Sequence, residues 1–437
     1  MFARLLVSVS VSAVVLSAQV FVVDAANGAG TDFIDLPAAA AAVPDGATLR
    51  VRAGSYTPFT LDSKGLVFVG EGAVLLDRAG EVVLRNTQRN QTIVMRDIGL
   101  PQQGTLRIVN TLGPVVLERC HRSTGSFIVV TDITAQLAAN EQMLGCNFDP
   151  RAFVFLHAIV PVVAATDSSV SLAECRLTSN PGVLEFVRGS TGGVGLSLLR
   201  SRAVLSRCTI VGGAGGPGCR SCAIGCAADG GHGGAACRVE FSTVVALNST
   251  LSGGLGGPRG CCTQGNVCTC PGNGGPGLEL VNSSAYLLGS QPAGGAAGAG
   301  EPVCNAQNGQ PIVQSGTNAT FADATARPPV ARIEGTQATG QNIDFTVLSP
   351  TGSVALMAIA YSGDLLPIEP IGFGSLLASA AGYFGPFVIP PAPGNALRLP
   401  WTIPNGFAPG QVHFGQFITL TDGSIFASNP FALVVAR

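Results

Sequence analysis

Two cysteine-rich stretches hold most of the residues whose types suit them to chemistry. Cys219-x-x-Cys222 is followed by Cys226 and Cys237, with Asp229 and His232 between the last two. Cys261-Cys262 is followed by Cys268 and Cys270, and Cys304 comes later. A Cys-x-x-Cys with a further Cys and a His offers zinc the ligand types it takes. In an oxidising compartment the same thiols pair as disulfides, and the irregular spacing points that way. Nine cysteines is an odd number, so one is free, pairs with another cysteine of the chain or pairs between chains. Asp229 and His232 are the candidate catalytic residues. The simpler account of them is the ordinary polarity of a glycine-rich loop. The pattern calls for no metal and no cofactor.

The compartment is read from the N-terminus. Arg4 precedes an uncharged run from Leu5 to Val23, Ser-rich and interrupted by Gln19. It reads as a secretory signal peptide over residues 1–18, with an uncleaved anchor as the alternative. No other segment is long and apolar enough to cross a membrane. The 437 residues carry a net charge of -2 and no basic stripe, which argues against a nucleic-acid partner. Only 11% of residues are charged and 58 are glycine, so ordinary globular composition is excluded.

The elements that must position these residues are short strands. Asp35 is placed to cap a helix that tolerates Pro37 in its first turn and stops at Pro44-Asp45-Gly46. After it come apolar runs separated by turn residues: Phe59 to Leu61, Leu66 to Val69, Val82 to Leu84 and Ile93 to Met95. The other four cysteines mark a repeat, an apolar residue followed by two others and then Cys: Leu117 with Cys120, Met143 with Cys146, Leu172 with Cys175, Leu205 with Cys208. Val94 with Asp97 and Ala246 with Ser249 extend it, giving steps of 23, 26, 29, 33 and 41 residues. These fit one turn of a parallel β-helix with a loop that grows from coil to coil. Such cysteines would stack as a buried ladder on one face, with a bridge between neighbouring coils or metal binding as the alternative. The Gly-Gly pairs at Gly212, Gly253 and Gly294 keep the 41-residue step. They fall in glycine-rich loops at 212–236, 253–277 and 289–309, which disulfides would pin. Past Arg327-Pro328-Pro329 the texture changes to alternating runs such as Val412 to Leu420, with a turn at Thr421-Asp422-Gly423 and the single Trp401. This reads as a β-sandwich over 327–437.

The segment Asp35-Leu36-Pro37, Val43-Pro44-Asp45-Gly46, Val51-Arg52-Ala53-Gly54-Ser55-Tyr56 resembles the first coil of secreted right-handed parallel β-helix proteins of the pectin-lyase-like superfamily. Such chains are frequent in planctomycete and myxobacterial secretomes. The end of the chain, Ser428 to Val435, is similar to the terminal β-domain that often follows. The resemblance implies an all-β fold: a short N-terminal capping helix, a right-handed parallel β-helix over 19–326, then the sandwich. It implies little about activity, because the superfamily holds lyases, glycosidases and non-catalytic adhesins. Gly231-His232-Gly233 is similar to a motif of its polygalacturonases, but the Asn-Thr-Asp, Asp-Asp and Arg-Ile-Lys that accompany it there are missing. The coil acids Asp77, Glu81, Asp97, Glu118 and Glu174 are scattered singly, and Arg85, Arg89, Arg96 and Arg107 read as a solvated face. The expectation is a secreted or cell-surface protein, non-catalytic, contacting an extracellular polysaccharide or envelope component. The alternative is a lyase or glycoside hydrolase.

Overall fold

The computed structural model describes residues 19–435 apart from 77–79, 89, 101–104, 112, 114, 119, 124–126, 132–139, 145–146, 150–161, 183–188, 219–228, 261–268, 301–304, 324–327, 336, 350–351, 361–364, 368–374, 378–379, 391–395, 408–411, 422 and 429–430. The expected signal peptide at 1–18 lies outside them.

Each coil begins on a wall of parallel strands that runs from Thr60–Asp62 to Ile312–Ser315, nine strands among the described residues. The chain then turns onto a second parallel wall, for example through Ser169–Ala173, Arg202–Ser206, Thr243–Leu247 and Ser284–Leu288. A sharp bend leads to a short row, Arg176–Thr178, Thr209–Val211 and Thr250–Ser252. The fold is a parallel β-helix. Both turns use residues in the left-handed region: Asp167, Arg200, Phe241 and Asn282 at the first, Glu174, Arg207 and Asn248 at the second. A single left-handed residue turns an extended chain sharply, and short polar side chains tolerate it best. Serines lock the first turn. Ser168 N–H donates to Ser201 Oγ at 3.1 Å, Ser201 N–H to Ser242 Oγ at 2.8 Å, and Ser242 N–H to Ser283 Oγ at 3.1 Å.

Strand alternation fills the interior. Leu117, Leu172, Leu205, Leu251 and Leu280 face inward and are buried in one continuous core. Register confirms the cysteine-marked repeat: Leu117, Met143, Leu172, Leu205 and Ala246 stand opposite one another in successive coils. The first step is corrected by one residue. Met95, not Val94, lies opposite Leu117, so that coil is 22 residues long. Asp97 takes the left-handed bend at φ 55°, and Ile98 holds the inward position next to it.

The helix is Leu36–Ala42, capped by Asp35, whose carboxylate accepts the Leu36 N–H at 2.8 Å. It buries Leu36, Ala39 and Ala40 against the first coils.

The glycine-rich segments depart from the expected loops. Their described parts are straight arms, an outgoing set at 180–182, 212–218, 253–259 and 293–299 and a returning set at 189–195, 229–236, 270–277 and 305–310. Outgoing arms stack on one another coil by coil. Gly212, Gly215 and Gly218 donate to the carbonyls of Ser252, Leu255 and Pro258, at 2.9, 2.7 and 2.9 Å. Returning arms stack the same way, with Gly230 and Gly233 donating to Cys270 and Asn273. Between the two layers a zigzag runs through Gly193, Gly213, Gly234, Gly254, Gly275 and Gly295, each N–H from Gly213 onward donating to the carbonyl of the glycine before it at 2.8 Å.

The donors within a layer recur every third residue, the period of a polyproline II-type helix. Such a helix has no internal hydrogen bonds, so all its amides are available to neighbours. One residue per turn bonds along its layer, the next bonds across layers, and the third points outward. Glycine fills most of the first two places, because a side chain there meets backbone. A Cβ on Gly213 would run into the Asn180 carbonyl oxygen, and one on Gly254 into that of Gly213. The described parts of the arms are thus joined to one another by backbone hydrogen bonds, and Cys270, in a returning arm, is disulfide-bonded as well.

Residues from Val330 onward form antiparallel sheets. Val330–Gly335, Asn342–Leu348 and Ala396–Thr402 make one; Val354–Ala360, Ala380–Val388, Val412–Thr421, Ser424–Ala427 and Phe431–Val434 make the other. Phe345, Met357, Phe417, Phe431 and Leu433 share a core between them, with Trp401 packed 5.6 Å from Phe345. The hairpin pairs Thr421 with Ser424 across the expected turn. In the Val412 run the shared core receives Phe417, while Leu420 is exposed. Phe426 covers Val204, Val245, Leu247 and Leu288 on the outer face of the second wall. Arg96, buried there with Glu118 at 2.6 Å, also reaches Gln337 at 3.1 Å.

Candidate functional site

The outward residue of each turn decides what the glycine layers show to solvent. The outgoing layer presents Ala214 and Pro217, then Leu255 and Pro258, then Ala296 and Ala299, an apolar face. The returning layer presents Thr191, Asp229, His232, Asn273 and Gln307, a polar one. The two candidate catalytic residues lie in this second face. They line an open recess of about 460 Å³ together with Ser190, Thr191, Asn273 and Asn305.

Asp229 and His232 share the recess but do not act on each other. They are one turn of the threefold helix apart, roughly 9 Å along the arm. Each is tied to the next coil: Asp229 Oδ1 accepts the Cys270 N–H at 2.9 Å, and His232 Nδ1 accepts the Asn273 N–H at 3.0 Å. Asn273 repeats the device, its Oδ1 accepting the Gln307 N–H at 2.9 Å. An imidazole that accepts at Nδ1 carries its proton on Nε2. The sequence reading missed Thr191 and Asn273, although the signal was present. Thr191, His232 and Asn273 follow one another at the same 41-residue step as the Gly-Gly pairs. A two-carboxylate glycosidase needs a second acid across the sugar, and Asp229 is the one acid among the described residues of the recess.

The cysteines divide differently from the expected nine and four. Cys120, Cys175 and Cys208 are buried free thiols on the second bend. Cys208 Sγ donates to the Leu172 carbonyl at 3.3 Å, and burial, then its neighbour Cys175, push its pKa well up. The ladder continues in serine, the Cys208 N–H donating to Ser249 Oγ at 3.0 Å and the Ser249 N–H to Ser290 Oγ at 2.8 Å. Cys237 was expected among the loop disulfides. It is instead a buried free thiol at the start of the strand Cys237–Glu240, opposite Leu196 and Leu278 in the first wall. Burial pushes its pKa up as well, which makes it a core residue rather than a reactive one. Cys270, at the recess, is disulfide-bonded. Cys146, Cys219, Cys222, Cys226, Cys261, Cys262, Cys268 and Cys304 lie outside the described residues. Among those that are described, no group of three or more His, Cys, Asp or Glu is placed to hold a metal ion.

The basic face resolves into pairs. Arg85 meets Asp62 at 2.8 Å, Arg107 meets Glu81 at 3.9 Å, and Arg96 is buried with Glu118. Arg89 and Asp77 are not among the described residues. No described helix is long and apolar enough to cross a membrane.

No family model matches the chain, and no curated protein matches it. Two solved structures are similar over most of its length. One is the enzymatically active domain of tailspike protein 4 of bacteriophage CBA120, 12% identical, TM-score 0.24, covering 89% of this chain. The chain spans 64% of that domain. The other is the tailspike protein of Acinetobacter phage vB_ApiP_P1, 8% identical, TM-score 0.24, covering 89% of this chain and 74% of its own. Likenesses this distant carry no argument about activity.

Proposed function

We propose that the protein is a secreted or cell-surface β-helix protein that contacts extracellular glycan without cleaving it. In this reading residues 19–326 form the contacting solenoid and 327–437 a separate supporting domain. The observation that carries it is the recess on the returning layer. Its side chains are of the kinds that bind sugar hydroxyls, and Asp229, His232 and Asn273 are each already fixed by a backbone amide of the next coil. Groups held this way pay little entropy on binding. They are also poorly arranged for catalysis, since the carboxylate and the imidazole face separate amides and not a shared substrate atom. Exposure of the full chain to a glycan array, with reducing-end and unsaturated-sugar assays on the bound polysaccharides, tests this. Retention without release is expected. Release of sugar from a retained polysaccharide would make the protein a lyase or hydrolase.

A further inference from the structure

The atoms left over in the recess define a more specific ligand. Asp229, His232 and Asn273 each commit one polar atom to the next coil, at 2.9, 3.0 and 2.9 Å. What remains is Asp229 Oδ2, an anionic acceptor; His232 Nε2–H, a donor; and the Asn273 Nδ2 amide, a donor. His232 and Asn273 stand in successive coils, about 4.8 Å apart. Asp229 lies one helical turn along the arm from His232, roughly 9 Å away. The floor between them is Gly230, Gly231 and Pro271, low enough for the C–H face of a ring to lie against.

Resting on the glycan reading above, we propose that this recess takes neutral sugars through their hydroxyl groups and excludes uronates. A sugar hydroxyl both donates and accepts. Hydroxyls on opposite sides of a hexose, or on neighbouring sugars of a chain, therefore satisfy all three leftover atoms, donating to Asp229 and accepting from His232 and Asn273. A uronate carboxylate only accepts. Beside Asp229 it finds no proton to share and meets a like charge, and no Lys or Arg is among the described lining residues to offset that. Specificity thus comes from one repulsive group as much as from the attractive ones.

The test uses the full chain and two kinds of probe: neutral glucan, mannan and galactan oligosaccharides, and polygalacturonate and alginate oligomers in the presence of a chelator. The wild-type protein is expected to retain at least one neutral series and neither uronate. Asp229→Asn keeps an oxygen for the Cys270 N–H but loses the charge and the leftover acceptor. It is expected to weaken neutral binding about 10-fold or more and to relieve the exclusion of uronates. Asn273→Ala is expected to weaken neutral binding by a similar factor without admitting uronates. Neutral affinities that are unchanged in both variants, or wild-type binding of uronates as tight as of neutral sugars, would overturn this inference while leaving a glycan-contacting protein. Retention of no glycan at all would overturn the reading it rests on, and the inference with it.

Discussion

The strand walls and the glycine bundle belong to the same coils and stack in the same register, yet they are ordered in opposite ways. In the walls, alternate side chains point inward, and Leu172, Leu205 and Leu280 close the interior by burial. In the bundle the inside is mostly backbone, with small side chains such as Ala235 and Ala236 at the end that joins the walls. The amides of Gly213, Gly234, Gly254 and Gly275 bond from layer to layer, and the few side chains stand on the outside. A wall thus spends half its side chains on its own stability. The bundle spends few, leaving every third position open to any residue the surface needs. That is how one layer can be apolar, with Leu255 57% exposed, and its neighbour polar, with His232 and Asn273.

Substitutions sharpen the contrast. The largest effect in the walls belongs to Leu205→Ala, which removes a fully buried side chain from a closed interior. It is expected to cost about 2–5 kcal/mol in denaturant unfolding, and a cost under about 1 kcal/mol would mean that the walls are not packed as described. Cys237→Ser comes next, at about 1–3 kcal/mol, because it puts a hydroxyl between Leu196 and Leu278, where the thiol makes no hydrogen bond. Cys208→Ser is expected to cost less than about 1 kcal/mol, since Ser249 and Ser290 already occupy the next places in that ladder. Equal costs for the two cysteines would erase the distinction between strand interior and bend.

Acid separates the C-terminal sheets from the coils. Burial lowers the pKa of His413 from its ordinary value of 6.5. The unfolded chain then takes up a proton that the folded one refuses, so stability falls as pH drops below about 6.5 and levels off beneath the folded pKa. Asp24, Asp62 and Asp167 are lowered from 3.8, by hydrogen bonds from Arg52, from Asn86 and from Arg200 respectively. Their contribution is present above 3.8 and is lost as pH falls through the folded values. Trp401 fluorescence reports the sandwich, because it is the only tryptophan. As the pH falls below about 6.5 it should show a falling unfolding midpoint, and His413→Phe should remove that slope. A slope that survives the substitution would place its origin elsewhere.

Much of the solenoid was legible because its side chains recur. The spacing of Leu117, Met143, Leu172 and Leu205 gave the register of the second wall, and Asp35 marked the helix start. Cys237 was misassigned because it was read with its cysteine neighbours. Its spacing of 41 residues from both Leu196 and Leu278 places it in the first wall. The bundle was hidden for a different reason. Hydrophobic periodicity is carried by side chains, and glycine has none, so the arms look like loops. The mark they do carry is a period of three: Gly212-Gly213-Ala214, Gly215-Gly216-Pro217, and again Gly253-Gly254-Leu255, Gly256-Gly257-Pro258. The recess then follows from the same 41-residue step, which carries Asp229 to Cys270 and Thr191 to His232 and Asn273.

The central claim is that the arms are held by glycine backbones and not by the side chains between them. Gly254 and Leu255 are adjacent and test it in one experiment, thermal or denaturant unfolding of Gly254→Ala beside Leu255→Ala. A methyl on Gly254 points into the Gly213 carbonyl oxygen of the preceding arm in the same layer, whereas Leu255 is 57% exposed. Gly254→Ala is expected to cost about 3 kcal/mol or more and Leu255→Ala no more than about 0.5 kcal/mol. A silent Gly254→Ala with a costly Leu255→Ala would contradict the bundle outright.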